Sequence, residues 1–189
     1  MDRSDEILRY LKSLDIPYVL YEHEPKETIE ACQTIQGVDW SQAAMCKNVF
    51  LTNRQESAFY LVLLRHDRAF RTAVVSKLLG VSRLSFARSE LLPDMLGLAA
   101  GAVSPLGLIF DDSHRITLGV DSELAAFPRL LFHPGVNHRS VELSADGGAQ
   151  EPGGGLPVMG GQVVEEKVGA GDGLRAGVGG GPGQGGSCS

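Results

Sequence analysis

Three short clusters hold the groups that could do chemistry. Lys47 and Asn48 stand at the head of an apolar run, Val49-Phe50-Leu51, that reads as a buried strand. An unpaired ammonium is costly to bury, so a lysine at a strand mouth is better explained by something it holds than by the core. The second cluster is residues 101 to 105, between a predicted helix and an apolar segment. Gly101 permits unusual backbone angles and Pro105 fixes φ, so Gly101, Ala102, Val103, Ser104 and Pro105 can shape a rigid loop that exposes backbone N–H groups. In the third, residues 132 to 137, His133 and Asn137 bracket a Pro-Gly turn that closes a strand. Taken singly, the second and third clusters also read as ordinary turns.

Familiar catalytic templates do not fit. The chain has no G-x-S-x-G elbow, no H-E-x-x-H and no G-x-x-x-x-G-K-[ST]. Cys46 beside Lys47 could be a nucleophile, but neighbours on a strand point to opposite faces, so a Lys47 that faces a pocket leaves Cys46 in the core. His66 and His114 fall in a basic loop and a turn and are expected in solvent. Cys32, Cys46 and Cys188 show no paired spacing, which argues against a disulfide framework or a zinc site and suits a reducing cytoplasm.

The elements that must position these clusters alternate between helix and strand patterns over the first 146 residues. Ser4 can cap a helix that carries Ile7, Leu8, Leu11 and Leu14 on one face, with Asp5 and Glu6 in its first turn and Pro17 beyond it. A strand follows at 18–23, then a short helix from Thr28 as cap to Gly37 as stop. Strands are expected at 48–52 and 58–64 around a polar turn, a helix at 72–80, a strand at 82–87 and a helix from Ser89 to Gly97. Residues 107–112 and 115–120 look like a hairpin, 122–127 like a helical turn or two, and 129–132 and 138–143 like closing strands. This mixture predicts an α+β domain with a mixed, mostly antiparallel central sheet flanked by short helices.

The chain has 189 residues, is 43% hydrophobic and carries a net charge of −6, enough apolar material for one domain. No apolar stretch is long enough to span a membrane, and the charged N-terminus lacks the apolar region of a signal peptide. A protein that grips a long phosphate backbone is usually basic, so contact with nucleic acid should involve a short piece and not a DNA duplex. The exception is residues 65 to 88, where Arg65, Arg68, Arg71, Lys77, Arg83 and Arg88 oppose only Asp67. That window reads either as a solvated face or as a local docking patch for phosphates. Composition changes near residue 147: 17 of the 24 glycines lie in 147–189 and no aromatic residue follows Phe132. Residues 1–146 are therefore expected to form the domain and 147–189 a disordered tail.

Taken together and in order, Lys47, Gly101 with Pro105, and His133-Pro134 with Asn137 resemble the YbaK/prolyl-tRNA-synthetase-associated editing domain family. Tyr21 to Ala31 resembles the family's early strand-to-helix passage, with Thr28 at the matching place, and residues 77–87 its central helix-strand unit. The form of the lysine strand is similar to free-standing members that clear alanine from proline tRNA. The resemblance implies an aminoacyl-tRNA deacylase that hydrolyses the ester of mischarged tRNA, Ala-tRNA(Pro) foremost. It implies Lys47 as the catalytic residue, binding the terminal phosphate or ribose. Thr28, Asn48, His133 and Asn137 would bind substrate, and residues 101 to 105 would form a small pocket whose backbone donors polarise the ester. A water attacks with help from the tRNA's vicinal hydroxyl. No cofactor or metal is implied. The partners implied are the 3′ acceptor end of mischarged tRNA and prolyl-tRNA synthetase, in the cytoplasm, without membrane. Family members usually end in a helix packed on the sheet; here a Gly-rich sequence begins at that place. The alternatives are a Cys- or Ser-tRNA deacylase, a non-catalytic aminoacyl-tRNA or nucleotide-binding module, and an inactive truncated relative.

Overall fold

The computed structural model describes residues 2–145 and, beyond them, two short strands at 162–163 and 174–176. Helix α1 (Arg3–Ser13) is capped by Asp2, whose carboxylate accepts the Ser4 N–H at 3.3 Å. Ser4, expected as the cap, lies inside the helix and is fully buried. Ile7, Leu8 and Leu11 form the apolar face of α1, and Asp5 and Glu6 favour its positive N-terminal end. Strand β1 (Tyr18–Glu22) follows, then the single turn α2 (Ile29–Cys32), with Thr28 Oγ1 accepting the Ala31 N–H at 3.1 Å as anticipated. Strands β2 (Ala43–Asn53) and β3 (Phe59–Arg65) form a hairpin, followed by α3 (Thr72–Leu78) and β4 (Leu84–Phe86).

A 3-10 turn at Ser89–Leu91 leads into α4 (Leu92–Leu96); the capping position is Arg88, not Ser89, and Gly97 at φ 63° ends the helix in the left-handed region. The expected hairpin strand at 107–112 is instead a 3-10 helix, Pro105–Phe110. Ser104 Oγ accepts the Leu106 N–H and Pro105 pre-sets φ at the first position, so a short apolar run becomes helical. Strand β5 (Ile116–Asp121), a 3-10 turn at Ser122–Ala126, β6 (Arg129–Phe132) and β7 (Arg139–Ser144) complete the domain. Strands β8 (Gln162–Val163) and β9 (Leu174–Ala176) pair with β5. The disordered tail expected over the remainder of 147–189 lies outside the described residues.

The sheet runs β1-β7-β6-β2-β3-β5-β8, with β4 also on β2. Pairs β2–β6, β3–β5 and β5–β8 are parallel and the others antiparallel, as the α+β reading predicts. Alternation along β2 sorts two cores: Ala44, Cys46 and Phe50 join the large cluster with α1, Leu106, Ile116 and Phe132, while Val49 and Leu51 pack with Val62, Leu64, Val75 and Leu84. Each fully buried Leu or Phe contributes roughly 1.5–3 kcal/mol, so these two layers fix which way every β2 side chain points.

The two edges of β2 are paired unequally. Its β3 edge is continuous from Cys46 to Thr52. On the other edge, β6 pairs only with Ala43 to Met45 and β4 only with Leu51 to Asn53. Between them the edge has no strand partner among the described residues. Lys47 is therefore not at the mouth of its strand, as expected, but in the middle of an 11-residue strand beside a gap in the sheet.

Candidate active site

The gap opens into a cleft of about 210 Å³. Met45, Cys46, Lys47 and Asn48 of β2 form its floor; Glu27, Thr28, Ile29 and Cys32 line the α2 side; Gly101, Val103 and His133 complete it. The parallel β2–β6 register, which matches Met45 with Leu131, runs on to place His133 at the level of Lys47. The Pro134-Gly135 turn then carries the chain away from β2, Gly135 having φ 82°.

Lys47 Nζ donates to the Arg68 carbonyl at 3.0 Å, which leaves two of its three N–H bonds for another acceptor. The β3–α3 loop that supplies this carbonyl is itself clamped. The Arg68 guanidinium pairs with Glu123 and reaches the buried Asp121 at 3.7 Å, while Arg65 pairs with Asp67 and with Glu123 at 3.2 Å. Burial pushes the Asp121 carboxyl above its ordinary range. Half of the basic window read from sequence is thus neutralised within the protein: Arg65, Arg68 and, through Glu56, Arg88. His66, expected in solvent, is half-buried and accepts a hydrogen bond from Gln33 Nε2 at 2.9 Å.

Asn48 Nδ2 donates to the Val103 carbonyl at 2.8 Å and so ties β2 to the loop at 101–105. Its Oδ1 is buried without a hydrogen-bond partner among the described residues. A carbonyl oxygen left dry in this way is an acceptor in want of a donor. In the loop, Gly101 has φ 85°, a backbone conformation that only glycine adopts without strain. The Ala102 N–H is spent on the Ala99 carbonyl, whereas the N–H groups of Gly101, Val103 and Ser104 have no acceptor among the described residues. Thr28 Oγ1, already accepting from Ala31, retains its O–H for donation.

His133 is 8% exposed. Its Nδ1 lies 2.9 Å from the Arg139 carbonyl, which only accepts, so Nδ1 carries the proton and Nε2 is the acceptor of the ring. Nε2 sits 3.6 Å from Cys32 Sγ, with the thiol as donor. Burial lowers the imidazole pKa, opposed by the Arg139 carbonyl and aided by His23, whose ring lies 6.2 Å away. Burial also pushes the Cys32 thiol up, and more strongly that of Cys46. The site therefore presents a neutral imidazole and neutral thiols around the Lys47 ammonium, with the Glu27 carboxylate on the α2 side. Among the described residues no group of three His, Cys, Asp or Glu side chains could hold a metal ion.

Of the ten site residues read from sequence, Thr28, Lys47, Asn48, Gly101, Val103 and His133 meet in this cleft. Ala102, Ser104 and Pro105 are buried behind the loop and frame it. Asn137 does not line the cleft; its carbonyl accepts the Lys26 N–H at 2.9 Å and holds the loop that leads to Thr28. Sequence reasoning missed Cys32, Ile29 and Met45. Cys32 lies four residues after Thr28, one helical turn, and Met45 lies two before Lys47 on the same strand face, so spacing alone could have pointed to both.

A sequence profile of the aminoacyl-tRNA editing domain matches residues 23–150, from His23, just after β1, to beyond β7. The chain belongs to the aminoacyl-tRNA editing domain family. Among similar proteins, the prolyl-tRNA editing protein ProX of Acetoanaerobium sticklandii is 32% identical over 146 residues, 76% of this chain and 87% of that one. The prolyl-tRNA synthetase associated domain-containing protein 1 of Danio rerio is 30% identical over 146 residues, 76% of this chain and 78% of that one. A solved structure of a candidate trans-editing enzyme for prolyl tRNA synthetase aligns with a TM-score of 0.60 at 17% identity, over 76% of this chain and 88% of that one, and shares the fold. This editing domain is accordingly an aminoacyl-tRNA deacylase, a hydrolase acting on an ester bond.

Proposed function

We propose that the editing domain acts in trans on Ala-tRNA(Pro), and that the cleft beside the gap in β2 is where the ester is cut. The observation that carries this is the convergence of Thr28, Lys47, Asn48, Gly101, Val103 and His133, from four separate segments, on one cleft of about 210 Å³. In this reading the two free N–H bonds of Lys47 hold the terminal phosphate or ribose, and the clamped Arg68 carbonyl fixes where the ammonium sits. The unpartnered Asn48 Oδ1 accepts from the substrate amine. Backbone N–H groups of Gly101 and Val103 face the ester carbonyl and stabilise the charge that develops on its oxygen. Neutral His133 offers Nε2 to the terminal nucleoside or to the attacking water, which the vicinal ribose hydroxyl assists.

The selectivity has a physical basis. A synthetase pocket built for proline cannot strongly exclude alanine, because missing methylenes change binding by only about 1–3 kcal/mol. A second site too small for the correct residue supplies the rest. Ile29, Cys32, Met45 and Val103 are the walls that would set that limit. The partners in this reading are the 3′ end of mischarged tRNA and prolyl-tRNA synthetase as its source, in the cytoplasm. Among the described residues no helix is long and apolar enough to cross a membrane. A panel of Ala-, Cys- and Ser-tRNA, scored for amino-acid release, tests the reading. Alanine should be released fastest; release of only cysteine or serine, or of none, would overturn it.

A further inference from the structure

Besides Lys26 on the α2 side, whose ammonium donates to Thr34 Oγ1 at 3.1 Å, three cations without a carboxylate partner are gathered on one side of the sheet. Alternation places Lys47 on the same face as Val49 and Leu51, the face on which α3 packs through Val75 and to which the neighbouring strand β4 adds Leu84. On that side Arg71, Lys77 and Arg83 are exposed, and none of them pairs with a carboxylate among the described residues. Among these cations stands an aromatic pair: Phe86 is 64% exposed, with its ring centroid 5.6 Å from that of the half-buried Phe70. The geometry connects this surface to the cleft. The loop whose Arg68 carbonyl holds Lys47 Nζ runs on within four residues to the start of α3. Phe86 is the register partner of Leu51, four residues along β2 from Lys47, or about 13 Å.

We propose that this α3–β4 side docks the acceptor arm of the tRNA whose 3′ end enters the cleft. Arg71, Lys77 and Arg83 meet phosphates, and Phe86 stacks on an unpaired base or ribose near the 3′ end. The inference rests on the deacylase reading of the cleft. Charge complementarity selects the surface: the whole chain carries −6, so a polyanion is repelled by the molecule at large and drawn to the place where cations lack carboxylates. Free cations interleaved with an exposed ring are the means by which proteins hold single-stranded nucleic acid.

The test compares alanyl-tRNA with the alanyl ester of adenosine, which fits the cleft but is too short to bridge the roughly 13 Å from Lys47 to Phe86. Charge reversal of Arg71, Lys77 and Arg83 together should lower kcat/KM on the tRNA at least tenfold and flatten its log–log salt dependence by about two. Cleavage of the adenosine ester should change less than twofold. Phe86→Ala, at an exposed position, should cost roughly tenfold on tRNA alone. Arg88→Ala is the control for loss of a cation that Glu56 already neutralises and should fall less than twofold. Equal losses on both substrates, undiminished activity on tRNA, or an Arg88→Ala loss as large as the triple variant's would overturn the docking surface. A wild-type protein inert on both substrates would instead overturn the deacylase reading, and this inference with it.

Discussion

Two cavities of this domain differ in size and in chemistry, in opposite senses. The larger, about 640 Å³, lies between α1 and α4 and is lined by Arg3, Glu6, Arg9, Tyr10, Pro93, Asp94 and Phe110 among others. Its ion pair lies at the surface: Arg3 pairs with Glu6 at 3.1 Å, both about half exposed, and lies over the Phe110 ring at 4.5 Å. The smaller, about 210 Å³, has an ammonium with spare donors, a dry amide oxygen, unspent backbone N–H groups and an imidazole kept neutral by burial. Volume measures how loosely elements meet. Unspent hydrogen-bonding capacity withdrawn from water measures what a site is prepared to hold, and the small cleft has it in the Asn48 oxygen.

Lys47→Ala should break that contrast most severely, lowering deacylation roughly a hundredfold or more, as loss of a positioned charge at a reacting group does. Its stability should change little, since the side chain makes one hydrogen bond to a loop held elsewhere by Arg68 and Arg65. Single-turnover rates beside thermal melts check both halves. Asn48→Ala should cost less, about tenfold, because it removes the substrate acceptor and frees the Val103 carbonyl without removing charge; steady-state kinetics should show the loss on Ala-tRNA.

The pH response sharpens the comparison further. Burial holds the His133 pKa down, so the unfolded chain binds this proton more readily than the folded one. The stability at stake is complete above the ordinary value near pH 6.5 and declines as pH falls from there through the folded value. Melting temperature should fall across that window as pH is lowered. His133→Gln should flatten this part of the profile, and an unchanged profile would assign the acid sensitivity elsewhere. The smallest effect belongs to the larger cavity. Arg3→Ala removes an exposed ion pair worth under about 1 kcal/mol and should leave the deacylation rate within twofold; a tenfold loss would give that cavity a role in the reaction.

Much of the site was legible in the sequence, for reasons that differ by residue. Thr28 announced a cap and Gly101 a left-handed turn, because local backbone needs select those residue types. Lys47 drew notice as a charge in an apolar run. What could not be read was the interruption of the β2 edge: it depends on where β6 and β4 stop, which is set by pairings far apart in the chain. For the same reason the Arg68 carbonyl behind Lys47 and the Cys32–His133 contact were invisible. The helix at Pro105–Phe110 was misread as a strand, since a short apolar run fits either, although the Ser104-Pro105 start carried the signal of a helix.

The central claim is that the cleft beside β2 admits alanine on tRNA and refuses proline. The direct measurement is the ratio of single-turnover hydrolysis rates of Ala-tRNA(Pro) and Pro-tRNA(Pro) by the full chain. A ratio of at least ten, collapsing when Lys47 is replaced by alanine, is the expected result. Equal rates on the two substrates, or a ratio indifferent to Lys47, would contradict it.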